Sequence, residues 1–385
     1  MTHSLDSDLS QRLVRPVVYY ISGHGFGHAS RSIEVVNALL AARPDLPVHI
    51  RTAAPRWLFD LTVRGPFTYT TLDTDPGVVQ RDSLSLDADE TVRRAQAYAR
   101  DLPTLAAREA EVVRELDAAF VMADIPPLAL EAARLAEVPA IAIGNFTWDW
   151  IFRDYPGGEA AADLLGEVYR RAGRAFRLPL SGGFETIPDV RDLPFIARRA
   201  TYAPTETRAR LGLPEGRLAL VSFGGYGVSG IDLDAISRTT GWTLLVSASV
   251  PFGPDRVPLA QVAARGALHP LDEPAMYAMG LRYEDVVAAV DIVVTKPGYG
   301  IISECLANDT ALLYTDRGHF IEYDVLVREL PRYVRCAYVP QAELLRGDWQ
   351  EALDALIAAP PAPERPPVNG AAVAARWMLD QVDSR

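Results

Sequence analysis

Two of the chain's six histidines lie in one short stretch, Ser22-Gly23-His24-Gly25-Phe26-Gly27-His28-Ala29-Ser30-Arg31. Imidazole is the side chain whose ordinary titration falls near neutrality, so a histidine held at a cleft suits general acid–base work. The glycines between them let the backbone bend sharply and let a ligand come close. Asp124 closes the apolar run Ala119-Phe120-Val121-Met122-Ala123. That is the strand end at which a parallel sheet places its ligands; an N-cap for the helix after Pro126 and Pro127 is the structural alternative. Two further glycine stretches, Gly224-Gly225-Tyr226-Gly227 and Gly298-Tyr299-Gly300, follow apolar runs, and the backbone N–H groups of the first could hold a diphosphate. Lys296, the only lysine in the chain, precedes the second of them, either to neutralise that diphosphate or to cap its strand.

The elements that must position these residues alternate regularly. Val17-Val18-Tyr19-Tyr20-Ile21 reads as a buried strand, and the apolar period from Ile33 to Leu40 reads as a helix. Pro47–Thr52, Phe67–Leu72, Ala119–Ala123 and Ala140–Ile143 continue as strands. Asp89–Asp117 carries helical periodicity and is expected to break at Pro103 into two helices. The same order restarts with the strands Leu218–Phe223, Trp242–Ser247, Ile292–Thr295 and Ala311–Thr315. The stretch from Leu178 to Pro204, rich in Pro and Gly, separates the two halves. The expected organisation is α/β, with a first Rossmann-like domain over 1–180, a linker over 181–204, a second over 205–367 and a crossing helix over 368–385.

Two phosphate-site readings of the first loop fail. A dinucleotide fingerprint needs a third Gly or Ala where His28 or Ser30 stands, and an acid where the second strand ends in Arg51-Thr52. A P-loop needs GxxxxGK[ST], which the chain lacks. A loop that brings a histidine to an interdomain cleft remains.

Five separated motifs carry a resemblance: GHGFGHASR, NFTWDWI, VSFGGYG, KPGYGIISE and NGAAVAA, in that order between about Val17 and Gln381. The chain resembles the N-terminal glycosyltransferase-like half of plant L-arabinokinases and its stand-alone bacterial relatives. More distantly it resembles the peptidoglycan N-acetylglucosaminyltransferase and the UDP-glycosyltransferases. The resemblance implies a GT-B fold and an inverting, metal-independent transfer of a sugar from a nucleoside-diphosphate sugar, expected to be a UDP-sugar, to an acceptor hydroxyl. His28 matches the base, with Asp124 as its orienting aspartate. His24, Asn145, Trp148 and Asp149 are assigned to the acceptor, since aromatic faces suit sugar rings and amides and carboxylates suit hydroxyls. Gly224, Gly225, Tyr226, Lys296, Gly298, Tyr299 and Gly300 are assigned to the donor. By the resemblance Glu304 reads the donor ribose, and His319 and Glu322 meet the transferred sugar. The plant proteins' sugar-kinase half has no counterpart here, so kinase activity is not implied. Two alternatives stand beside transfer: a sugar-nucleotide-binding module without turnover, and a nucleotide-sugar hydrolase or epimerase.

The net charge of −12 argues against a nucleic-acid partner. Asp73-Thr74-Asp75 has the form of a metal-binding DxD, but with Pro76-Gly77 behind it a turn is expected and no metal. Two cysteines in no ligand spacing, a polar N-terminus and the lack of a long apolar run lead to the expectation of a cytoplasmic protein without an integral membrane segment, peripheral contact being left open.

Overall fold

A run of β-branched and aromatic residues can be buried on both faces only between two helical layers. β1 (Val17–Ile21) is such a strand and is wholly buried. The computed structural model describes residues 14–224, 228–247 and 266–383. β1 pairs with β2 (Val48–Thr52) and β4 (Phe120–Asp124); β3 (Thr68–Thr71), β5 (Ala140–Gly144), β6 (Arg174–Arg177) and β7 (Asp189–Asp192) complete a seven-stranded sheet ordered β3-β2-β1-β4-β5-β6-β7. β8 (Arg217–Val221), β9 (Trp242–Ser247), β10 (Leu268–Leu271), β11 (Ile292–Thr295), β12 (Ala311–Tyr314) and β13 (Cys336–Tyr338) form a six-stranded sheet ordered β10-β9-β8-β11-β12-β13. All pairings in both sheets are parallel.

Both sheets therefore reverse their direction of growth beside their first strand, between β1 and β4 and between β8 and β11. Loops leaving adjacent strands diverge at such a point and open a crevice at the strands' C-terminal ends. The registers Ile21↔Asp124 and Val294↔Val221 put the glycine loops and Asp124 at these two crevices.

Three sequence expectations change. The first sheet runs on to Asp192, past the expected boundary at 180, because Arg174–Arg177 and Asp189–Asp192 still pair in parallel. The helix over Ala88–Glu115 is continuous; Pro103 sits on its exposed side and is accommodated there. The strand expected over Leu218–Phe223 ends already at Val221, which releases Ser222 and Phe223 into the crevice. The C-terminal helix, Gly370–Asp383, crosses back to the first domain, where Trp377 meets Phe120 and Phe176 edge to face at 5.8 and 5.0 Å. Among the described residues no helix is long and apolar enough to cross a membrane.

Candidate active site

The helix Phe26–Ala42 starts only because Gly25, its N-cap, takes φ +75°, a left-handed value that a side chain resists. His28 then falls in the first turn, over the strand end that carries Asp124. His28 Nδ1 lies 2.8 Å from Asp124 Oδ1, both side chains being buried. Arg31, one turn further along the helix, grips the same carboxylate twice, from Nε to Oδ2 at 2.7 Å and from Nη2 to Oδ1 at 2.6 Å. Ser32 Oγ donates to Oδ2 at 2.8 Å. Burial pushes the Asp124 carboxyl up, but the Arg31 charge and these hydrogen bonds outweigh it and hold the group down at about 2.

His28 Nδ1 has two neighbours with opposite demands. The anionic Asp124 accepts an Nδ1–H, while Arg31 Nη2, at 2.9 Å, can only donate. The Nδ1–H tautomer satisfies the carboxylate and leaves the Nε2 lone pair for a ligand. Arg31 also donates from Nη1 to Asn145 Oδ1 at 2.6 Å, and Asn145 Nδ2 donates to Glu322 Oε1 at 2.7 Å. A buried polar chain thus runs from His28 and Asp124 through Arg31 and Asn145 to Glu322 in the second domain.

The opposing wall is built by the second sheet. Gly298 caps the helix Tyr299–Asn308, whose N-terminus abuts the first domain: a Cβ on Gly300 would meet Gly27 Cα at 3.3 Å. Two helix N-termini therefore face one cleft, each with free N–H groups and a positive dipole end. Tyr299 lends the cleft its ring, 5.3 Å from Arg31 Cζ, while its hydroxyl accepts from the Ile196 N–H at 3.0 Å. Lys296 and Gly224 line the same space. Burial, then repulsion from Arg317, pushes Lys296 down to about 7. Glu304 is buried against Arg198, whose Nε donates to Oε1 at 2.7 Å and whose Nη1 reaches Glu284 at 3.2 Å. Burial raises Glu304 to about 7 despite that cation. The cleft so enclosed has a volume of about 380 Å³.

His24 also faces the cleft, edge-on to Trp148 at 5.8 Å. Burial and then repulsion from His28, Arg317 and Lys296 hold it well below its ordinary value, so it is neutral at pH 7. Three expected contacts are placed elsewhere. Trp148 is fully buried beneath His24, stacked on Phe152 at 5.3 Å, where it is core rather than ligand surface. Asp149 turns away from the cleft to accept from Thr186 Oγ1 at 3.2 Å, as an acid in the first turn of Trp148–Arg153. His319 is exposed at the rim, its Nε2 2.6 Å from Asp154 Oδ2, and lies outside the cleft lining. The expected donor contacts Gly225 and Tyr226 lie outside the described residues. Asp75 of the DxD accepts from Ser22 Oγ at 3.1 Å and is pushed up to about 6 by burial. Among the described residues no cluster of His, Cys, Asp and Glu has the arrangement of a metal site.

Three arginines of the cleft, Arg31, Arg198 and Arg317, carry no role in the sequence reading. Arg31 had one local signal, its place three residues after His28 on the same helical face. Arg198 and Arg317 had none.

The chain is 30% identical to L-arabinokinase of Arabidopsis thaliana over 380 residues, which cover 95% of this chain and 34% of that protein. It thus spans about a third of the length of the curated relative it matches. No family model matches. Among solved structures it is similar to the glycotransferase of kitacinnamycin (TM-score 0.63, 17% identity, 95% of this chain and 99% of that one). It is also similar to Phytolacca americana UGT2 complexed with UDP-2-fluoro-glucose and pterostilbene (0.58, 15%, 96% and 94%). A third is the UDP-glucose: anthocyanidin 3-O-glucosyltransferase in complex with UDP (0.58, 12%, 96% and 97%). The fold is the two-domain GT-B arrangement of these glycosyltransferases.

Proposed function

We propose that the chain transfers a sugar from a nucleoside-diphosphate sugar, a UDP-sugar, to an acceptor hydroxyl with inversion. The observation that carries the reading is the buried His28–Asp124 pair directly across the cleft from the helix N-terminus at Gly298. The donor lies on the second domain. Its diphosphate rests on the N–H groups at Gly298–Gly300, and its ribose meets Glu304, which exchanges Arg198 for two vicinal hydroxyls. The acceptor enters from the first domain beside His24. His28 Nε2 takes the acceptor proton as the acceptor oxygen bonds to the anomeric carbon, and the bond from that carbon to the phosphate oxygen breaks. Asp124 fixes the tautomer and stabilises the imidazolium, while the helix dipole and Lys296 offset the charge of the departing diphosphate. The reaction so drawn needs no resident metal. The free thiols Cys305 and Cys336 accord with a reducing, cytoplasmic setting.

A panel of nucleotide sugars scored for binding, then for product, tests this. Turnover should fall by about 10²–10⁴-fold in His28→Ala with binding retained. One observation favours a second reading, a binding module without turnover: Arg31 already neutralises Asp124, which weakens its support for an imidazolium. Tight nucleotide-sugar binding without transfer to any acceptor, or hydrolysis, would establish that reading instead.

A further inference from the structure

The cleft contains three arginines, and two of them are paired: Arg31 with Asp124, and Arg198 with Glu304 and Glu284. Arg317 differs. Its Nε and Nη2 are sealed from solvent without a hydrogen-bond partner, and among the described residues no carboxylate lies within ion-pair reach. Lys296 lines the same cleft, and among the described residues it too has no ion-pair partner. The two follow β12 and β11, adjacent strands of the second sheet; burial lowers the proton affinity of both, and the Arg317 charge lowers that of Lys296 further. Glu322 is the acid whose field both feel, but its Oε1 accepts from Asn145. A buried guanidinium without an anion is costly, by several kcal/mol in general, and a fold keeps one where a ligand supplies the anion.

The position of Arg317 says which part of the ligand that is. Its Cζ lies 4.5 Å over the Phe320 ring, which faces Phe146 and His24 at 6.5 Å. Glu304, which takes the ribose on the reading above, is paired with Arg198, which also reaches Glu284, and not with Arg317. Resting on the transferase reading above, we propose that the transferred sugar carries an anionic group, a carboxylate as in a uronic acid, held by Arg317, with Lys296 next to it on the diphosphate. Both cations belong to the second domain, which holds the donor; this favours the transferred sugar over the acceptor as the source of the charge.

Calorimetric titration with UDP, UDP-glucose and UDP-glucuronate decides the matter on the unmodified protein. UDP-glucuronate should bind at least tenfold more tightly than UDP-glucose. Arg317→Gln should bring the two together while leaving UDP within about twofold, and Arg317→Lys should restore part of the difference. Equal binding of the two sugars to the unmodified protein overturns the proposal. So does an equal loss for UDP in Arg317→Gln, which would place Arg317 on the diphosphate. If instead glucose 6-phosphate binds the UDP-loaded protein in an Arg317-dependent manner and the donors are not discriminated, the anion belongs to the acceptor and the assignment to the donor sugar falls. Absence of binding by all three nucleotides refutes the transferase reading itself, a distinct outcome.

Discussion

Replacing Asp124 by asparagine keeps the shape of the side chain and removes its charge. Its consequences can be worked from four contacts. Arg31 loses a two-point grip, His28 loses the acceptor that fixes Nδ1–H, and Ser32 loses a charged acceptor. Arg31 is left buried with a neutral amide on each side, since Asn145 is its other partner. Breaking a buried pair by removing one partner costs about 3–5 kcal/mol at neutral pH. Part of this is linked to protons. A carboxyl held at about 2 instead of its ordinary 3.8 is worth about 2 kcal/mol at 1.36 kcal/mol per pH unit. Because the folded value is depressed, that contribution is present in full above about pH 4 and is lost as pH falls through about 2. The gap in urea stability between the native chain and Asp124→Asn should therefore be about 3–5 kcal/mol at pH 7 and shrink by about 2 kcal/mol by pH 2. Turnover should fall by about 10²–10⁴-fold, as for His28→Ala, because the amide can donate to Nδ1 and favour the wrong tautomer. A variant within 1 kcal/mol of the parent at pH 7, or a gap that does not change on acidification, would refute the ion-pair reasoning.

Gly25→Ala meets no atom within 4 Å, yet it forces a side chain to φ +75°; a loss of about 1–2 kcal/mol in unfolding free energy, with reduced turnover as His28 shifts, is the expected result. Met378→Ala, wholly buried in the crossing helix, should cost about 2–5 kcal/mol by thermal or urea unfolding and weaken the attachment of that helix to the first domain. Lys296 is held near pH 7, and an anionic ligand favours its charged form. UDP affinity should therefore fall as pH rises from 7, with proton uptake in calorimetry at pH 8 that Lys296→Met abolishes.

The strands were legible because a parallel sheet covered on both faces needs continuous apolar runs, and Val17–Ile21, Phe120–Ala123 and Ile292–Thr295 are such runs. Their C-terminal ends were equally legible, so Asp124, Asn145, Lys296 and Gly298 could be placed near one another without knowing any contact. The boundary at 180 moved because β6 and β7 are short and mostly polar, Arg-Ala-Phe-Arg and Asp-Val-Arg-Asp, and form an edge that no hydrophobic period announces. Residue type misled at Trp148 and Asp149: an aromatic beyond a strand end suits a sugar face, but here the helix Trp148–Arg153 turns that ring inward.

What the sequence conceals most completely is charge pairing at long range. Arg31 and Asp124 are 93 residues apart, Arg198 and Glu304 106, and nothing local marks either pair. This matters for chemistry, because the state of His28 depends on where the Asp124 charge goes. The His-Asp spacing alone describes a free carboxylate backing an imidazole. With Arg31 on both oxygens and Asn145 passing the contact on to Glu322, the orientation of the imidazole is tied to a residue of the opposite domain. Moving the second domain away from the first would release Asn145 from Glu322 and leave Arg31 a looser ligand of Asp124. On the proposed transferase reading, the geometry of His28 is therefore a property of the closed cleft.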